Sequence, residues 1–198
     1  NNLERIPNLE ALTPNHSSIH YLKNTGIYDI GNIRFYLKSL EDNKSLPIPL
    51  SHTKINIALY HGMLQEIDHS SGSYSVEDFK KYDITLLGDV HERQFLTDTI
   101  AYPGSLIQQN YGESINNHGF IKWSIIPQTT ELNIPQTTQV HTPSMIYNIV
   151  HKEYNIQNEY GFVNIEVIDN KPIIPESIPK YANIKYKLTN SDNIDNIK

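Results

Sequence analysis

Apolar residues in this chain fall into short runs bounded by turn-forming residues, and the order is clearest between Lys54 and His91. Lys54-Ile55-Asn56-Ile57-Ala58-Leu59-Tyr60 is β-favouring and stops at His61-Gly62, which predicts a buried strand ending in a polar residue. Ser75-Val76-Glu77-Asp78 has the S-x-x-D form of a capping box, with Ser75 accepting from the third helical N–H. Val76, Phe79 and Tyr82 then recur at three-residue spacing and predict a short amphipathic helix. Ile84-Thr85-Leu86-Leu87 predicts a second buried strand, ending at Gly88-Asp89-Val90-His91. Strand, helix, strand implies a right-handed βαβ unit with parallel strands, and hence an α/β fold class.

Elsewhere the signals are more scattered. Residues 1–31 are polar and turn-rich, with Pro7, Pro14 and Gly26, and show no clear period. A strand is predicted over Asn32 to Leu37, and Gln94-Phe95-Leu96 with Ile100-Ala101-Tyr102 flanks Thr97-Asp98-Thr99 as a hairpin. Gly119 to Ile126 and Glu131 to Ile134 read as antiparallel strands. The Thr/Pro-rich stretch from Pro135 to Pro143 reads as a linker, Ser144 to Tyr154 as a short helix, and Gly161 to Ile168 and Ala182 to Leu188 as strands. This divides the chain into a main domain, 1–135, and a smaller element, 136–198.

Composition narrows the chemistry. The 198 residues carry 16 Lys+Arg against 22 Asp+Glu and no Cys, so a disulfide scaffold and a thiolate zinc site are both excluded. An acidic balance argues against gripping nucleic acid mainly through a broad basic surface, although it leaves room for phosphate held through metal ions. The 21 Asn and 28 Ile fit the AT-rich codons of both residues, so the Asn-rich stretch Asn190 to Asn196 reads as drifted surface. No apolar run approaches the roughly 18 residues of a membrane span, and the polar N-terminus has no signal-peptide pattern. A soluble, intracellular chain is expected, in the cytoplasm, nucleoid or nucleus.

Parallel strands joined by a crossover helix place their carboxyl ends on one sheet edge, where ligands bind. That topology is expected to bring together His61, Asp89 and His91, two imidazoles and a carboxylate without sulfur, a set suited to Mn, Zn, Fe or Mg. A lone strand-end His serves more often as a turn or hydrogen-bonding residue than as a ligand, so the three gain weight only together. The hairpin would return Pro103-Gly104-Ser105 close to His91, where Gly104 and Ser105 offer a backbone amide and a hydroxyl to a phosphate; by default they form a β-turn. His16, His20, His52 and His69 lie in polar loops and read as surface.

Tyr82 to His91, then Ala101-Tyr102-Pro103-Gly104-Ser105 and Tyr111-Gly112-Glu113, resemble the second half of the calcineurin-like metallophosphoesterase domain, and most nearly the SbcD-type (meiotic-recombination-eleven) nucleases of DNA double-strand-break repair. Leu59-Tyr60-His61-Gly62 and Gly88-Asp89-Val90-His91 match that family's fourth and fifth metal motifs. The resemblance implies part of a four-layer α-β-β-α sandwich followed by the start of a small α+β DNA-binding cap. It implies a dinuclear metal site, Mn foremost, with His61 and Asp89 on one ion and His91 on the other, and Gly104 and Ser105 facing DNA. It further implies DNA as substrate, an SbcC-like coiled-coil ATPase as partner, and a homodimer.

Two departures matter. Asp89 stands where the family pattern more often has His, which hardens the site. The family's first three motifs, Asp-x-His, Gly-Asp-x-x-Asp and Gly-Asn-His-Asp, are absent. With them goes the general acid, which the resemblance places upstream of Asn1, just before the point where Asn1-Asn2-Leu3-Glu4-Arg5 begins. Asn117-His118 is loosely similar to the family's Asn-His pair, but no Gly-Asp-x-x-Asp lies between it and Asp89. The chain is therefore expected to be a piece of a longer protein, inactive alone. Other calcineurin-like phosphoesterases, and a non-catalytic binding module, remain the alternatives.

Overall fold

A computed structural model describes residues 19–49, 53–70, 72–128 and 146–189. They form two compact units. The first comprises the described residues up to Asp89, Phe95–Ala101 and the described part of Ile126–Asn148; the second comprises Val90–Gln94, Tyr102–Ile125 and the described residues from Ile149 onward.

The first unit is built on a sheet of order β1-β2-β3-β4-β6-β5. Its strands are β1 (Gly26–Ile30), β2 (Ile33–Lys38), β3 (Ile55–His61), β4 (Ile84–Gly88), β5 (Gln94–Thr97) and β6 (Ile100–Tyr102). β1 and β2 form an antiparallel hairpin, while β2, β3, β4 and β6 run parallel. Helix α1 (Val76–Phe79) is the crossover between β3 and β4, as the pattern predicts. The Asp78 carboxylate accepts from the Ser75 amide at 2.9 Å and from its hydroxyl at 3.0 Å, so the carboxylate, by reaching back, ties down the helix start. Tyr36, Ile55, Ile57, Ala58, Ile84 and Leu87 are buried, in the near-continuous apolar runs typical of parallel strands.

Asp29 on β1 lies opposite Arg34 on β2, accepts from its guanidinium at 2.7 and 2.8 Å, and stands 3.1 Å from Lys54 Nζ. The Arg34 hydrogen bonds, then Lys54, hold the Asp29 carboxyl well below the usual carboxylate range. A depressed acid contributes stability above its unfolded pKa of about 3.9 and loses it as pH falls toward its folded value. The stability difference between wild type and Asp29→Asn, from urea titrations, is therefore expected to be present at pH 6 and to vanish in strong acid. A difference that grows on acidification would contradict the pairing.

In the second unit β9 (Tyr160–Ile168) lies between β10 (Lys171–Ile173), antiparallel to it, and β11 (Tyr181–Leu188), parallel to it. Val163, Ile165 and Val167 alternate inward along β9. Gln108 docks the preceding loop on this strand: its Nε2 donates to Phe162 O at 2.9 Å and its Oε1 accepts from Phe162 N at 2.6 Å. A further two-stranded sheet pairs β7 (Gly119–Gln128) with β8 (Ile146–Asn155).

The expected α/β class, a four-layer α-β-β-α sandwich with an α+β cap, is overturned. Among the described residues the only helix is the four-residue α1, and the rest of the regular structure is strand in several sheets. The helix expected over Ser144 to Tyr154 is the strand β8 instead. Tyr147, Ile149, Val150 and Tyr154 are β-branched or aromatic residues that lose rotamer freedom in a helix and pack well on a pleated sheet. The described residues between β2 and β3 form no helix either. The strand expected over Glu131 to Ile134, the linker from Pro135 to Pro143 with its domain boundary, and the Asn-rich stretch lie outside the described residues. So does Asn1, the point upstream of which the general acid is expected. No helix among the described residues is long and apolar enough to cross a membrane.

Candidate functional site

In the first unit the chemistry-bearing residues stand at the carboxyl ends of two adjacent parallel strands. His61 closes β3 and lies opposite Gly88, which closes β4. A Cβ on Gly88 would come within 2.7 Å of His61 Nδ1, so glycine is what lets the imidazole lie against the neighbouring strand. The Gly62 amide donates to Gly88 O at 3.2 Å and extends the pairing by one step. Directly after β4, Asp89 turns to φ 91°, a conformation that costs a non-glycine residue about 1–3 kcal/mol and is found most often where function demands it.

The result is a His61 Nε2 to Asp89 Oδ1 distance of 3.6 Å, with both side chains about half exposed. That is too long for a hydrogen bond. It is within the span of two donors sharing one ion at about 2.0–2.2 Å each. A neutral imidazole and a carboxylate form a borderline-to-hard donor pair, in keeping with Mn, Zn, Fe or Mg. Among the described residues no group of three or more His, Cys, Asp and Glu side chains is placed to hold an ion, so the pair supplies part of a coordination sphere.

The second unit holds the remaining expected residues. His91 Nδ1 lies 2.9 Å from Glu113 Oε1. Asn110 Nδ2 donates to the same oxygen at 2.6 Å, and the Gln109 amide donates to Oε2 at 2.9 Å. Burial raises the Glu113 pKa, but the hydrogen bonds from His91 and the Gln109 amide outweigh it and hold the carboxyl below its usual value. Gly104 has φ 75°, and a Cβ there would lie 2.8 Å from His91 O and 2.9 Å from Arg93 N. The turn thus presses its backbone against that of His91, and the Ser105 amide donates to His91 O at 3.0 Å.

Ser105 is buried, and its hydroxyl lies 3.0 Å from His118 Nδ1. His118 Nε2 lies 2.7 Å from Ser114 O. A carbonyl can only accept, so Nε2 carries the proton and Nδ1 accepts from Ser105. Both ring nitrogens of His118 are therefore engaged, which leaves the Asn117-His118 pair no imidazole lone pair for a ligand. A cavity of about 300 Å³ is lined by His91, Glu92, Arg93, Glu113, Asn117 and His118 among others. Of the loop histidines, His20 and His69 are exposed, and His16 and His52 lie outside the described residues.

The structure thus brings His61 together with Asp89, His91 with Glu113, and Ser105 with His118. Sequence reasoning names neither Glu113 nor Arg93 as a site residue. Gly112-Glu113 enters only as part of the family resemblance, and nothing local marks a carboxylate as the partner of a histidine on another loop.

The chain is 31% identical over 217 aligned residues to an uncharacterized protein of Acanthamoeba polyphaga mimivirus. The alignment takes in 98% of this chain and 14% of that protein. No family model and no solved structure matches the chain.

Proposed function

We propose that this chain is part of a metal-dependent phosphodiesterase acting on DNA, with His61 and Asp89 as ligands of one divalent ion and His91 as a ligand of a second. The observation that carries the metal reading is the meeting of His61 and Asp89 at adjacent parallel strand ends, with a glycine opening room for the ring and a strained backbone at the carboxylate. The choice of DNA, of Mn²⁺, of an SbcC-like ATPase partner and of a homodimer rests on the resemblance of Tyr82 to His91 and Ala101 to Ser105 to SbcD-type nucleases. A divalent ion bound at the strand ends supplies Lewis-acid chemistry, offsetting phosphate charge and activating water. His61 contributes a neutral nitrogen donor and Asp89 a negative charge. Gly104 and Ser105 act on His91 through the backbone, and the Ser105 hydroxyl is committed to His118.

In the protein that carries this chain, His61→Ala and Asp89→Ala are each expected to weaken Mn²⁺ binding at least about tenfold and to lower hydrolysis of DNA ends in parallel. Isothermal titration and a nuclease assay beside a small phosphoester would measure both. Unchanged Mn²⁺ affinity in both variants would refute the ligand assignment. A second reading, a non-catalytic binding module, draws on the lack of a three-donor cluster among the described residues; it wins if the carrying protein takes up no stoichiometric Mn²⁺.

A further inference from the structure

A histidine ligates a metal through one nitrogen, and which nitrogen is free depends on the hydrogen bond the other one makes. His91 makes a single side-chain hydrogen bond among the described residues, from Nδ1 to Glu113 Oε1 at 2.9 Å. An ionised carboxylate only accepts, so Nδ1 carries the proton and donates it, and the lone pair sits on Nε2. In water histidine favours the opposite tautomer. The His91 side chain is 43% exposed while that of Glu113 is 14% exposed, so the carboxylate is sheltered while the imidazole it holds remains accessible.

Glu113 is itself fixed from three directions. Both carboxylate oxygens accept from the 109–110 turn, through the Gln109 amide and Asn110 Nδ2. Its own carbonyl accepts from Gln108 Nε2 at 3.0 Å, and Gln108 is a buried side chain that also clasps Phe162 on β9. The other end of His91 is fixed too, through the Ser105 amide on its carbonyl and the close approach of Gly104. A surface ion pair formed by chance has none of this support: here one ring is held at backbone and at Nδ1 by groups anchored to a sheet.

We infer that Glu113 is the positioning residue of His91, setting the Nδ1–H tautomer and aiming Nε2 outward as the metal donor. This rests on the reading of His91 as a ligand. A carboxylate behind a ligating imidazole fixes ring orientation and raises its basicity, and removing such a partner typically weakens metal binding about 10–100-fold.

The test is nitrogen-15 NMR of the His91 ring in the metal-free chain, combined with Mn²⁺ titration read by paramagnetic broadening of the His91 ring protons. Wild type is expected to show the Nδ1–H tautomer and broadening at the lowest Mn²⁺ concentration. Glu113→Ala is expected to shift the ring toward the Nε2–H form and to need at least about tenfold more Mn²⁺. Glu113→Gln, nearly isosteric and still an acceptor, is expected to keep the tautomer while losing part of the affinity, which separates positioning from a local folding defect. The same tautomer and equal broadening in wild type and Glu113→Ala would overturn the inference and leave His91 a ligand. Sharp His91 signals in wild type at saturating Mn²⁺ would overturn the ligand assignment itself, and the inference with it.

Discussion

Phe79→Ala is expected to destabilise the first unit by about 3–5 kcal/mol, the range for emptying an aromatic position in a packed core. Phe79 ends α1 and is fully buried. Its ring centroid lies 5.7 Å from Tyr60, 5.9 Å from Tyr74 and 6.2 Å from Tyr82. These neighbours cannot easily collapse into the space. The Tyr82 hydroxyl donates to Pro47 O, and the Tyr74 hydroxyl accepts from the Leu46 amide at 3.2 Å. Burial also pushes the Tyr82 hydroxyl pKa up, so its phenol is neutral and held as a donor across the ordinary pH range.

Because domains keep only about 5–15 kcal/mol of net stability, a loss of this size would leave the unit partly unfolded at physiological temperature. It would also reach the site, since α1 is the crossover that brings β4 alongside β3 and so sets Gly88 and Asp89 opposite His61. Urea titrations of wild type, Phe79→Ala and Phe79→Leu would measure it, with the leucine variant showing a smaller loss than alanine. A change below about 1 kcal/mol for alanine would mean that the aromatic cluster contributes little.

The parts of this fold that are legible in the sequence are those encoded locally. β3, α1 and β4 each announce themselves within a few residues, through apolar runs and a capping box, and their parallel pairing follows from chain order. β1 escapes notice because only Ile27, Tyr28 and Ile30 carry it, and its strand character comes from pairing with β2 and from the Asp29 ion pairs. β8 misleads because its apolar spacing suits a helix as well as a strand; pairing with β7 decides it, as tertiary context overrides weak propensity. The layered sandwich is carried over from the family resemblance rather than read from the pattern, and it fails in a chain whose isoleucines and tyrosines favour strands.

At the site the split is similar. His61 and Asp89 are legible because strand ends converge by topology. Glu113 and the Ser105–His118 bond are not, since these partners come from separate loops and nothing in the intervening residues signals the pairing. Gly104 and Ser105 read in the sequence as a turn able to face a phosphate; their contacts with His91 and His118 are what the sequence does not signal.

The most consequential residue that sequence reasoning misses is Arg93, and Arg93→Ala is expected to cost the second unit about 2–4 kcal/mol. The Arg93 side chain is only 4% exposed. Its guanidinium donates to Asn155 Oδ1 at 2.8 Å, Tyr154 O at 3.2 Å, Pro103 O at 3.3 Å and Glu153 Oε2 at 3.3 Å. One planar fork thus satisfies acceptors on β8 and on the turn before Gly104 at once. Truncation leaves the carbonyls of Pro103 and Tyr154 without this donor, and an orphaned buried acceptor costs about 1–3 kcal/mol. Breaking a buried ion pair can cost about 3–5 kcal/mol, but Glu153 is half exposed and regains water, so the total falls short of the sum. Glu153→Ala alone should accordingly cost under about 1 kcal/mol. Arg93→Lys should recover less than half of the loss, because an ammonium cannot span four acceptors in one plane. Trp123, the single tryptophan, lies on β7 within this unit, so urea unfolding followed by its fluorescence reports the change directly. If Arg93→Ala and Glu153→Ala proved equally mild, the charge pair alone would account for Arg93, and the turn holding His91 in place would have to draw its rigidity from Ser105 and Glu113.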